Sequence, residues 1–164
     1  APTLQYPAVH SLALGFKREQ IAHALDGFGM LVPSKEPTRI LGALFSSSLY
    51  PGRAPEGHCL LTVMIGGIRH PELAAYPPER LRELALHDLR PLLGLEGDPC
   101  FYRCTSWPKA IPQYTRDFGP WRDTLQGLEA EFPGLFFGGN GRDGIAMGAS
   151  ILSGKRLASQ TLES

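Results

Sequence analysis

Apolar and polar positions alternate loosely over residues 9–16 (VHSLALGF), and the run stops at the charged triplet Lys17-Arg18-Glu19. That pattern predicts a strand running into a polar turn. Asp26-Gly27-Phe28-Gly29 reads as a turn. A short apolar run at 29–33 (GMLVP) closes on a proline, which cannot donate to a ladder, and a second run at 39–46 (RILGALFS) follows the break Ser34-Lys35-Glu36-Pro37. The two runs predict a hairpin. Beyond the loop at 52–57 (GRAPEG), residues 58–65 form the clearest strand, ending at Gly66-Gly67. Strands that follow one another so closely imply antiparallel pairing.

The period then lengthens. Pro77-Pro78 end extended structure and open a helix over about 79–93, with Leu81, Leu84, Ala85, Leu89, Leu92 and Leu93 on one stripe and Gly94 beyond its end. This helix is expected to pack on the sheet. Residues 101–107 predict a strand, and 108–114 (PKAIPQY) an ordered loop that its prolines keep out of a helix interior. Leu125, Leu128 and Phe132 fall at helical spacing, Leu135-Phe136-Phe137 reads as a short buried strand opening onto Gly138-Gly139-Asn140-Gly141, and a last helix runs from about Met147 to Leu162. The inventory is α+β, a mixed and largely antiparallel sheet with packed helices.

Composition narrows the class. The 164 residues carry 16 Lys+Arg against 16 Asp+Glu, with 43% hydrophobic residues and no simple repeat, which excludes a disordered tail or a fibrous chain. With no basic excess, a phosphate-backbone partner is not expected. The longest apolar stretch, 59–65, is far shorter than a bilayer span, and no basic-then-apolar leader opens the chain. The three cysteines, Cys59, Cys100 and Cys104, cannot all pair, and a reducing, cytoplasmic setting fits them. Because the chain opens at Ala1 and runs straight into a strand, a piece of a longer protein is expected.

Candidate chemistry is sparse. No Gly-x-Gly-x-x-Gly follows the first strand of the chain, and no phosphate-binding Gly-x4-Gly-Lys-Ser/Thr is present. The five histidines lack metal-ligand spacing and read as structural or solvated, so no metal site is expected. Ser46, Ser47 and Ser48 lack a nucleophile elbow and read as a polar strand end. The Gly139–Gly144 run is more informative, because a helix follows it. Glycines admit close approach to the backbone, and a helix start offers unpaired N–H groups and partial positive charge to a carbonyl or anion. A plain glycine turn is the alternative reading.

The order of segments carries a resemblance. Residues 25–34 (LDGFGMLVPS), 40–48 (ILGALFSSS) with 50–55 (YPGRAP), and 61–67 (LTVMIGG) resemble the substrate-domain core of protoporphyrinogen oxidases, members of the flavin amine-oxidase superfamily. Residues 107–114 (WPKAIPQY) resemble that family's W-x-x-A-I-P-Q-Y segment. Gly139-Asn140, residues 143–147 (DGIAM) and Ile151-x-Ser153-Gly154 resemble its C-terminal flavin segment.

The resemblance implies FAD-dependent oxidation of protoporphyrinogen IX to protoporphyrin IX with oxygen as acceptor. It places Phe28, Gly29, Leu31, Leu44 and Met64 around the apolar macrocycle. Trp107 and the backbone of Ile145, Ala146 and Met147, with Gly144 and Asn140, would contact FAD, and no side chain here is a required acid or base. On this reading residues 1–107 form a substrate-binding sheet domain, and 108–164 a C-terminal segment whose last helix completes an FAD domain. The N-terminal fingerprint and the family's substrate-pairing arginine are absent, so the chain is expected to match the last third of such an enzyme, with the remaining portion as its partner. It departs from the family at Thr115–Pro120, where Gly-His is usual, and at Gly148-Ala149-Ser150, where Asp-Cys is usual. Coproporphyrinogen as substrate, or a non-catalytic fragment that binds a tetrapyrrole or a partner, are the alternatives. Apolar surface on the last helix is expected to favour a homodimer, and peripheral membrane association is a further expectation from the family.

Overall fold

The computed structural model describes residues 4–163, which divide into two compact units, residues 8–110 and residues 4–7 with 111–163.

The first unit is built on one antiparallel sheet. Its strands are β1 (Val9–Lys17), β2 (Gly29–Leu31), β3 (Ile40–Leu44), β4 (His58–Gly66) and β5 (Phe101–Trp107), in the order β2-β3-β4-β1-β5. β2 and β3 pair as the expected hairpin, and β1 lies between β4 and β5 with Leu12 opposite both Val63 and Cys104. The period of two sorts the side chains. His10, Leu12, Leu14 and Phe16 of β1 and Cys59, Leu61, Val63 and Ile65 of β4 are buried on one face.

A short helical turn, α1 (Ser46–Leu49), precedes β4, and a longer helix, α2 (Pro78–Leu93), supplies Leu81, Ala85, Leu86, Leu89 and Leu93 to that core. Pro78 suits the first helical position because its missing N–H would be unpaired there. Gly94 ends the helix in the left-handed conformation at φ 58°, where an added Cβ would lie 2.7 Å from the Cβ of Ala22. Leu92, expected on the buried stripe, is exposed, and Leu86 takes the core position instead. Asp88 interrupts the stripe, and its Oδ2 accepts the backbone N–H groups of Arg39 (2.6 Å) and Ile40 (3.0 Å) at the start of β3.

Three further expectations are corrected. Serines 46–48 are not a strand end: they lie in α1, where Ser47 Oγ accepts the Leu60 N–H at 3.0 Å and Ser46 Oγ lies 2.7 Å from Thr62 Oγ1. Their hydroxyls satisfy β4 where β3 has stopped. Leu135–Phe137 is not a strand. It has no ladder partner among the described residues, Leu135 is exposed, and the Phe137 N–H is taken by Glu129 Oε1 at 2.8 Å. Phe132, expected on a helical apolar face, is an exposed residue at the helix exit.

In the second unit, α3 (Phe118–Glu131) and α4 (Met147–Glu163) flank the glycine-rich loop. Tyr114 stacks on Phe118 with ring centroids 4.0 Å apart, and Phe118 on Trp121 at 6.0 Å. Among the described residues no helix is long and apolar enough to cross a membrane.

Candidate functional site

Because α2 takes one face of the sheet, every second residue points to the other. Cross-strand partners share a face, so the register groups Leu31, Gly42 and Met64 in one row and Gly29, Leu44 and Thr62 in the next. These rows continue across β1 and β5 through Ser11 and Thr105, and through Ala13 and Arg103. Four of the five residues carried over for the macrocycle thus lie together: Gly29, Leu31, Leu44 and Met64. Leu31 is 89% exposed, and Gly42 between it and Met64 is covered, since a Cβ there would run into the Met30 carbonyl oxygen and lie 3.3 Å from Leu31 Cδ2. Phe28, in the segment read as a turn, sits one residue before β2, where its carbonyl accepts the Phe45 N–H at 3.1 Å. The result is a patch of aliphatic and thioether groups beside Thr62, suited to an apolar ring. Trp107, carried over for the flavin, ends β5 on this same face in the row of Val9 and Gly66, and is exposed.

Asn140, Gly144, Ile145, Ala146 and Met147 form a separate group, at the loop leading into α4. Side chains hold this loop. The Tyr114 hydroxyl donates to the Asn140 carbonyl at 2.5 Å and accepts the Gly144 N–H at 3.1 Å. Ser153 Oγ accepts the Gly139 N–H at 2.7 Å and donates to Asp143 Oδ2 at 2.5 Å. At Gly144, with φ 124°, a Cβ would lie 2.9 Å from that of Ala149. Among the described residues, the N–H groups of Met147, Gly148 and Ala149 have no acceptor, as expected for the first turn of a helix. Ile145 and Met147 are exposed. These donors fit an electron-rich ring carbonyl of the flavin kind.

A charged cluster fastens the same loop. Arg142 pairs bidentately with Glu129, with Nη1–Oε1 at 2.5 Å and Nη2–Oε2 at 2.9 Å, and also donates to the Phe137 carbonyl. Arg156 Nη2 reaches Asp143 Oδ2 at 2.9 Å and the Phe137 carbonyl at 2.8 Å. Burial would raise both carboxyl pKa values, but the opposing interactions win. The Phe137 N–H and Arg142 hold Glu129 below the usual carboxylate range, and Ser153 and Arg156 do the same for Asp143.

Pattern reasoning did not find this cluster, because Glu129, Arg142, Asp143 and Arg156 sit among polar neighbours on three different segments. Asp88 left a readable signal, a carboxylate inside an apolar stripe. His10 is a satisfied core histidine, with Nδ1 2.9 Å from Ser106 Oγ and Nε2 3.1 Å from the Leu73 carbonyl. The three cysteines are free thiols, and burial pushes the Cys59 thiol pKa up.

Comparison with known proteins supplies the family. Protoporphyrinogen oxidase, mitochondrial, of Nicotiana tabacum is 40% identical over 160 residues, covering 96% of this chain and 32% of that protein. Coproporphyrinogen III oxidase of Bacillus subtilis (strain 168) is 23% identical over 156 residues, covering 94% of this chain and 33% of that protein. The chain therefore spans about a third of the length of these curated relatives. A crystal structure from Exiguobacterium sp. 255-15, provisionally described as a protoporphyrinogen oxidase, shares the fold with a TM-score of 0.81 at 21% identity, over 99% of this chain and 36% of that one. The family model for flavin containing amine oxidoreductases matches residues 1–162, and the chain belongs to that family.

Proposed function

We propose that this chain is the substrate-side part of an FAD-dependent oxidase that converts protoporphyrinogen IX to protoporphyrin IX with oxygen as acceptor. The observation that carries the reading is the apolar sheet face. Leu31, Leu44 and Met64 stand in one patch at the positions where the family motifs place the macrocycle, in a chain 40% identical to a relative named for this activity.

On this reading the sheet unit receives the tetrapyrrole and the second unit contributes to the flavin site. FAD, when bound, supplies the hydride-accepting chemistry. The chain's own residues bind and orient. Leu31, Leu44 and Met64 exclude water from one side of the ring, and holding a methylene bridge in place converts binding energy into rate. The N–H groups of Met147, Gly148 and Ala149 would donate to an electron-rich carbonyl of the bound cofactor and favour negative charge there. No side chain of this chain is assigned a proton.

The test uses the full-length protein with FAD and protoporphyrinogen IX. Porphyrin fluorescence appearing faster than in the autoxidation blank is expected, and a rate equal to the blank contradicts the proposal. The coproporphyrinogen III oxidase relatives motivate a second reading, with coproporphyrinogen as substrate. Side-by-side rates on the two porphyrinogens decide between them.

A further inference from the structure

At the end of the sheet face remote from Trp107 lies a cavity of about 490 Å³. Gly15, Leu60 and Phe101 line it together with His58, Cys59 and Cys100. Gly15 of β1 stands between Leu60 and Phe101 in the cross-strand row, and without a side chain it leaves a floor between theirs. A Cβ at Gly15 would lie 3.0 Å from the Cβ of Phe101 and 3.8 Å from its Cγ and Cδ1, so a larger residue here would press on Phe101 and reshape the cavity wall. Arg53, Ala54 and Pro55 of the 50–55 loop also line it.

Arg53 is the permanently charged residue of the lining. Arg53 lies over the Tyr50 ring at 5.7 Å, and Arg103 stands two residues beyond Phe101 on the same face. Neither makes an ion pair among the described residues. A largely apolar cavity with a guanidinium outside any ion pair in its lining is complementary to a hydrocarbon group bearing a carboxylate, which Arg can engage through two parallel N–H donors.

We infer that the Gly15–Phe101 cavity is a binding site for a flat, apolar carboxylate, with the ring between Leu60 and Phe101 and the carboxylate on Arg53. The site requires neither flavin nor the activity proposed above. It also gives a role to the 50–55 loop, which the macrocycle patch around Met64 leaves unused.

The probe is 2-naphthoate, titrated into the chain and followed by backbone amide shifts. Saturable binding with the largest shifts at Gly15, Leu60 and residues 52–55 is expected. Arg53→Gln should weaken it about fivefold, the scale of an exposed ion pair. Gly15→Val, which fills the floor, should abolish it. The neutral methyl ester should bind about fivefold more weakly to the wild type and equally to Arg53→Gln. Should Gly15→Val fail to fold, the Arg53→Gln and ester comparisons still decide. No saturable binding, unchanged affinity in Arg53→Gln, or shifts confined to other residues would overturn the inference. Competition with protoporphyrin IX identifies the source of the carboxylate. Displacement of naphthoate assigns the site to the acid-bearing edge of a tetrapyrrole, and simultaneous binding assigns it to a separate small carboxylate.

Discussion

Every buried Leu, Ile, Val, Phe, Ala or Cys among the described residues lies between Leu12 and Leu95, and the unit containing 111–163 has none. The sheet unit is held by apolar packing, with Asp88 as an internal polar fastening. The other unit is held by guanidinium–carboxylate pairs, hydroxyl bridges and a stack of aromatic rings, while Met147, Ile151, Leu152 and Leu162 of α4 remain exposed. Two units of one chain therefore answer to different variables. Apolar packing resists pH and salt, whereas a network of paired charges weakens when either partner loses its charge.

The largest expected effect breaks the sheet unit alone. Leu14 is fully buried in the central strand, and Leu14→Ala should cost about 3 kcal/mol, measured by denaturant unfolding with hydrogen exchange to assign the loss to residues 8–110. Asp88→Ala should cost about 2 kcal/mol in the same unit, since it leaves the N–H groups of Arg39 and Ile40 without their acceptor. If it costs nothing, the fastening of α2 to β3 is incidental.

The converse experiment loosens the second unit. Glu129→Gln removes the charge paired with Arg142, and should cost about 1–2 kcal/mol there while leaving exchange in β1 and β4 unchanged. Acid should do the same. Carboxyls with depressed folded pKa values stabilise fully above their unfolded values, and that contribution is lost as pH falls through the folded ones. Glu129 and Asp143 lie below their ordinary 4.5 and 3.8, so amides of 135–156 should gain exchange below about pH 4, ahead of those in the sheet. Loss of both units together at one pH would mean that the charged cluster is not what holds the second.

The two units also differed in how far pattern reasoning reached. Alternation at 9–16 and 58–65 showed both the strands and which residues face the core, because a sheet buried on one side makes period two a direct record of burial. Placing β1 between β4 and β5 was beyond it, since partner choice is non-local. In the second unit, Leu135-Phe136-Phe137 has the composition of a strand but no ladder among the described residues, and composition carries no information on partners. The four-residue charged cluster was invisible because its members come from α3, the loop and α4. The motif order was the one long-range signal available. It brought Leu31, Leu44 and Met64 into one group before the register showed them sharing a face.

The smallest expected effect on stability belongs to the residue on which the proposed function bears most directly. Leu31→Asp, at an 89% exposed position, should change stability by less than about 0.5 kcal/mol. The decisive measurement is therefore a titration of this chain with protoporphyrin IX, read by quenching of tryptophan emission, for wild type and Leu31→Asp side by side. Saturable quenching in the wild type and at least about tenfold weaker binding in Leu31→Asp, a loss of about 1.4 kcal/mol, is the result expected if the ring lies on this face. Equal affinity in the two proteins, or no saturable quenching in either, would contradict it.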